Sequence, residues 1–223
     1  MQTKPHPAKF SKEVLRSLEQ EVRSRVPLGG TIVDPFAGVG GVHYLYPDYN
    51  TIGIEIEPEW AEAHERNLCG NSLNLSKLFE PGTVDAIVTS PAYGNRMADQ
   101  YAGDAKKSKR YTYRTFLGRE LDDDNAAKYN WSGKQKSNYQ DLHFDVWCEC
   151  CLALRDKGWF FLNISNHIRG NQEVSVVEWH IATLANIGLK FDSIFPVETK
   201  RLKHGANHQA RVSTEKIVIF QKA

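Results

Sequence analysis

Two short segments of this 223-residue chain combine residue types that binding and transfer chemistry need. The first is Asp34-Pro35-Phe36-Ala37-Gly38-Val39-Gly40-Gly41. Glycines at 38 and 40 let the backbone turn sharply and approach a ligand more closely than a residue with a Cβ allows. Glu55 follows about twenty residues later, where a carboxylate can take both hydroxyls of a ribose. Turn and acid together point to a nucleoside. A dinucleotide would bring its pyrophosphate to the glycine turn, and Asp34 would repel it. S-adenosylmethionine has no phosphate, and its ammonium and sulfonium suit a nearby carboxylate, so the acidic opening favours that cofactor. The second segment is Thr89-Ser90-Pro91-Ala92-Tyr93-Gly94-Asn95-Arg96, directly after an apolar run. Read alone, it is either a Ser-Pro turn with a packed tyrosine or a reaction site that offers a fixed carbonyl and an aromatic face.

The elements that must position these segments alternate along the chain. Strands are expected over Gly30–Asp34, Thr51–Glu55, Val84–Thr89 and Trp159–Ile164, with two closing strands over Leu189–Val197 and Lys216–Phe220. Helices are expected over Pro58–Leu68, Leu142–Leu154 and Val174–Ile187, the last ended by Gly188. Such alternation implies an α/β, single-domain, Rossmann-like fold: a mainly parallel sheet with helices on both faces. In open parallel sheets, ligands bind beyond the carboxyl ends of the strands. The segments 35–41, 57–58, 90–140, 165–172 and 199–211 should therefore open onto one face.

The two motifs resemble those of the S-adenosylmethionine-dependent amino-methyltransferases that act on DNA. DPFAGVG is similar to that family's DPFxGxG, and Ser90-Pro91-Ala92-Tyr93 to its SPPY or DPPY, with Ala92 in place of the second proline. His6-Pro7-Ala8-Lys9-Phe10 resembles the short motif that covers the cofactor's methionine end, and Gly70-Asn71-Ser72 stands where the family usually has Gly-Asp. The resemblance implies a class I methyltransferase fold spanning residues 1–223, with Lys9, Phe10, Asp34, Pro35, Phe36, Gly38, Gly40, Glu55 and Asn71 at the cofactor. The Asn71 oxygen could accept from the adenine amine in place of the family's acid, or the residue is an ordinary loop asparagine.

The resemblance also implies the reaction. Ser90 and the Pro91 carbonyl would accept hydrogen bonds from an exocyclic amine, drawing its lone pair out of the ring, while Tyr93 stacks on a base extruded from the duplex. Neither a metal nor a covalent intermediate is required. Methylation at carbon 5 of cytosine would need a cysteine nucleophile, typically after a proline, and none of the four cysteines follows one. The serine-led motif favours cytosine N4 over adenine N6.

DNA as partner needs local basic patches, because the net charge is only +1. The long polar segment 94–140 is the expected DNA-contacting insertion, with Arg96 near its start and Lys106, Lys107, Lys109 and Arg110 opening a run of bases and aromatics that continues to Arg119. Lys200, Arg201, Lys203 and Arg211 form a second basic stretch, and His167 and Arg169 either join it or are packed or solvated. Either stretch could instead be a solvated loop. The chain carries no separate target-recognition domain, and a cognate restriction nuclease is a candidate partner. An RNA amino-methyltransferase and a catalytically inactive module that binds cofactor and nucleic acid are the alternatives. The opening MQTKPHPAKF lacks the apolar stretch of a signal peptide, and no run reaches membrane-spanning length. Cys69, Cys148, Cys150 and Cys151 are expected to be reduced core thiols of a cytoplasmic protein rather than zinc ligands.

Overall fold

In the computed structural model, which describes residues 6, 9–92, 113–129, 131, 138–169, 172–199 and 214–223, the apolar runs become one seven-stranded sheet. β1 (Thr31–Asp34), β2 (Asn50–Glu55), β3 (Asn67–Cys69), β4 (Val84–Thr89) and β5 (Leu154–Ile164) pair in parallel. A short hairpin of β6 (His167–Arg169) and β7 (Gln172–Val174) stands apart. β8 (Leu189–Glu198) and β9 (Thr214–Lys222) close the sheet, with β9 antiparallel to both β5 and β8. The spatial order is β3-β2-β1-β4-β5-β9-β8.

The central strands read as continuous apolar runs because both of their faces are covered. On one face α1 (Lys12–Arg25) lays Val14, Leu18 and Val22 against Ile32, Ala86, Val88, Phe161, Ile217 and Ile219. On the other, α4 (Asn138–Ala153) and α5 (Val176–Asn186) pack Val146, Trp147, Val177 and Leu184 with Ile87, Phe160, Leu162 and Phe220. Neighbouring residues of one strand thus belong to different cores. The mainly parallel sheet with helices on both faces is the architecture expected from the sequence.

Several details differ from that expectation. α1 is an additional element, although Val14, Leu18 and Val22 recur at the four-residue spacing of a buried helical stripe and Ser11 accepts from the Val14 N–H as its cap. The expected helix over Pro58–Leu68 stops early, because α2 covers only Pro58–Ala61 and the chain then enters β3. Asn67 explains the break: its amide donates to the carbonyls of Gly38 (3.1 Å) and Trp60 (3.4 Å), and its oxygen meets His43 Nε2 at 2.9 Å. These bonds hold Asn67 beside Gly53 in parallel register, which a continuing helix could not satisfy. β5 begins five residues before the expected Trp159, at Leu154. Of the cysteines, Cys150 is buried within α4, but Cys69 is exposed at the end of β3 and is not a core thiol. No helix among the described residues is long and apolar enough to cross a membrane.

Candidate active site

Strand order reverses between β1 and β4, so the loops after these two strands diverge and leave a crevice at their carboxyl ends. A cavity of about 460 Å³ occupies that place. Its wall runs from Asn71 and Asp124 at one end, past Glu55 and the glycine turn, to Ser90, Asn163 and Glu215. This size suits a small-molecule cofactor with room for a reacting group.

The glycine turn is built as its sequence requires. Gly38 and Gly40 have φ of +54° and +85°. A Cβ on Gly40 would lie 2.6 Å from the His43 ring, so both conformation and space exclude other residues. His43 is in turn held between Thr51 Oγ1 and Asn67 Oδ1, each at 2.9 Å. Because the Asn67 amide N–H groups are given to Gly38 and Trp60, its oxygen accepts from His43 Nε2, and His43 Nδ1 accepts from the Thr51 hydroxyl. Burial lowers the pKa of this histidine and keeps it neutral.

Glu55 reaches the cavity from the end of β2. Its Oε2 accepts from the Gly38 N–H at 2.8 Å and its Oε1 from the Glu57 N–H at 2.9 Å, leaving a lone pair on each oxygen for a ligand's hydroxyls. Burial pushes its pKa up to about 7, against the pull of those two backbone bonds. Lys9, Phe10, Pro35, Phe36, Gly38 and Gly40 also stand on the wall. His6 joins them, with its ring 4.4 Å from that of Trp60.

Asp34 requires a correction. It is 1% exposed and does not stand on the cavity wall. Its Oδ1 accepts from the Phe36 N–H at 3.0 Å and from the Thr89 hydroxyl at 2.7 Å, so it ties the end of β1 to the end of β4. Burial pushes its pKa up to about 7. It braces the two motifs against each other rather than facing a ligand.

Asn71 lies on the wall, but its oxygen is committed to the Leu73 N–H at 3.0 Å as the cap of the short helix Ser72–Lys77. Its amide donates to Asp124 Oδ2 at 2.7 Å. The carboxylate at this end of the cavity therefore comes from Asp124, inside the segment expected to contact DNA. A motif centred on residue 71 carries no signal of an acid so far along the chain.

The longest described stretch of that segment, 113–129, packs beside the glycine turn. α3 (Tyr113–Leu117) and the residues after it place Tyr113, Leu117, Leu121 and Ala127 in a small core with Trp60. The anchor is Glu57, whose side chain is fully buried. Its Oε1 accepts from the Asp122 N–H and from Asn125 Nδ2, both at 2.8 Å, and its Oε2 meets Arg119 at 2.7 Å. Arg119 also pairs with Glu59, and these carboxylates raise its pKa. Arg119 is therefore occupied by acids, not held ready for phosphates. Asp123 pairs with Lys128, and Asp124 accepts from Asn71.

At the other end of the cavity, Ser90, Pro91 and Ala92 follow β4 onto the wall. Asn163 of β5, which no sequence motif marks, donates from Nδ2 to Ser90 Oγ at 3.1 Å and to Glu215 Oε2 at 2.6 Å. The Ala92 carbonyl is held from behind. Trp147 Nε1–H donates to His180 Nδ1 at 3.0 Å, which leaves the proton of the neutral ring on Nε2. That proton goes to Tyr139 Oη at 2.9 Å, and the Tyr139 hydroxyl donates to the Ala92 carbonyl at 2.8 Å. Complete burial holds the His180 pKa well below the usual histidine value, so the chain keeps one direction. Tyr93, Arg96, Lys106, Lys107, Lys109, Arg110, Lys200, Arg201, Lys203 and Arg211 lie outside the described residues.

Strand order and site position define the class I methyltransferase fold. Solved structures share it: TrmN from Thermus thermophilus (TM-score 0.54, 14% identity, 94% of this chain and 48% of that one); geranyl diphosphate methyltransferase in complex with SAM (TM-score 0.55, 14% identity, 99% and 94%); and an rRNA methylase from Streptococcus thermophilus (TM-score 0.50, 11% identity, 96% and 99%). The chain thus spans about half of TrmN and nearly all of the other two. No family model and no curated protein matches the chain.

Proposed function

We propose that this chain is an S-adenosylmethionine-dependent methyltransferase acting on the exocyclic amine of a base extruded from DNA, cytosine N4 in preference to adenine N6. The observation that carries the cofactor is the charge of the cavity wall. Among the described residues it presents the carboxylates of Glu55, Asp124 and Glu215 and only one lysine or arginine, Lys9. Such a wall suits a ligand with an ammonium and a sulfonium and opposes a pyrophosphate. Glu55 would hold the ribose hydroxyls, the glycine turn would admit the methionine portion beside Lys9 and Phe10, and Asp124 would face the adenine. When bound, the cofactor supplies a methyl group activated by its positive sulfur.

The substrate reading rests on the Ser90-Pro91-Ala92-Tyr93 motif and on the position of its first three residues after β4 at the cavity's far end. Ser90 Oγ and the Pro91 carbonyl would accept from the amine, and the fixed turn would spare reorganisation during reaction. Tritium transfer from labelled S-adenosylmethionine to unmethylated duplex DNA tests this, with an RNA of matched sequence alongside. Label in DNA supports the reading, label in RNA alone moves the substrate to RNA, and cofactor binding without transfer to either contradicts a nucleic-acid amine.

A further inference from the structure

We propose that Glu215 is the proton acceptor of the reaction, taking the hydrogen that the substrate nitrogen must lose as it gains a methyl group. The inference rests on the methyl-transfer reading above and adds a residue that the motif does not contain. Glu215 sits near the start of β9, half-buried, and Asn163 near the end of the adjoining β5, 1% exposed. Two adjoining strands of the sheet thus bring a carboxylate to the reaction end, on rigid elements rather than on a loop. Asn163 Nδ2 donates to Glu215 Oε2 at 2.6 Å and to Ser90 Oγ at 3.1 Å, so the two oxygens flank one amide nitrogen. Both stand on the same cavity wall as Pro91.

The side chains assembled there are acceptors, and acceptors select a nucleophile that has hydrogens to give. In the transfer, the carbon–sulfur bond breaks with its electron pair going to sulfur, and the nitrogen lone pair forms the new nitrogen–carbon bond. The nitrogen would then carry a positive charge until an N–H proton leaves. A carboxylate beside Ser90 stabilises that charge as it develops and accepts the proton. Asn163 keeps the acid and the serine at fixed separation by donating to both, and each oxygen retains a lone pair for the nitrogen's hydrogens.

The test needs no substrate. Sinefungin carries an amine where S-adenosylmethionine carries the transferable methyl, whereas S-adenosylhomocysteine carries nothing there. In calorimetry on the full chain, Glu215→Gln should lose about tenfold or more in affinity for sinefungin, the scale of a charge-assisted hydrogen bond, and less than about twofold for S-adenosylhomocysteine. On duplex DNA, the variant should lower kcat by a larger factor than it raises KM for S-adenosylmethionine. Equal losses for both ligands, or no loss for sinefungin, would overturn the assignment. If the wild-type chain fails to bind S-adenosylhomocysteine, the cofactor reading falls and this inference falls with it. If DNA accepts no methyl while the sinefungin difference holds, the DNA reading fails and Glu215 stands.

Discussion

Two buried carboxylates, Asp34 and Glu55, give the site its pH dependence. Burial raises both to about 7, from ordinary values of 3.8 and 4.5. Below about pH 4 both the folded and the unfolded chain hold these protons, and the groups cost nothing. Between there and about pH 7 the folded chain binds more protons than the unfolded one, so the stability of the ligand-free protein falls as pH rises. A cationic cofactor favours the ionised form, so its affinity should rise from about pH 6 to about pH 8, with protons released on binding. Calorimetry in buffers of different ionisation enthalpy measures that release; proton uptake would contradict the assignment. Glu55→Gln should weaken cofactor binding about tenfold or more. Tyr139 belongs to the same scale. Tyr139→Phe keeps the ring but removes the hydroxyl that donates to the Ala92 carbonyl and accepts from His180 Nε2. It should cost about 1–3 kcal/mol of stability and slow transfer about tenfold, while cofactor affinity, measured by calorimetry, holds.

At the scale of elements, one buried acid, Glu57, gathers three of the polar bonds that hold the segment 113–129 beside the glycine turn. Glu57→Ala would leave the Asp122 N–H, the Asn125 amide and Arg119 without their shared acceptor. Arg119 is partly exposed and keeps Glu59, so the expected result is a loss of about 1–3 kcal/mol, the scale of leaving buried donors unsatisfied. Hydrogen exchange should rise in 113–129 while β4 and β5 remain protected. Uniform exchange across the sheet would mean that Glu57 supports the whole fold instead. This attachment was not legible in the sequence. The length and polarity of 94–140 signalled a functional insertion, but the acid that secures it is distant in the chain and looks like an ordinary residue before Pro58. The helix expected to run to Leu68 failed for a related reason, since the bonds of Asn67 to His43, Gly38 and Trp60 are tertiary and override a local helical pattern. By contrast, β1, β2 and β4 were legible because strands covered on both faces must be apolar throughout. The glycine turn and Glu55 were legible because their chemistry is local to strand ends. Asn163 and Glu215 were not, because one polar residue at a strand end carries no spacing signal.

For the whole molecule, strand alternation fixes where the site must be, and the acidic wall favours a cationic ligand there. The sheet order puts the ends of β1, β2, β4 and β5 on one side, so cofactor and reaction segments converge there. On the proposed reading, the near-zero net charge leaves contact with DNA to the basic runs at 106–110 and 200–211. Replacing Lys106, Lys107, Lys109 and Arg110 with glutamine should flatten the salt dependence of DNA binding, by roughly 0.9 in log–log slope for each phosphate no longer neutralised. An unchanged slope would move the phosphate-binding role to Lys200, Arg201, Lys203 and Arg211.

Methylation of an exocyclic amine is tested by nucleoside mass spectrometry of DNA from cells expressing this protein, with isomer standards for each methylated base. The expected product is 4-methylcytosine, or as the second choice 6-methyladenine, at a reduced level in cells expressing Glu55→Gln. Finding 5-methylcytosine, or no methylated base beyond the background of cells without the protein, would contradict it.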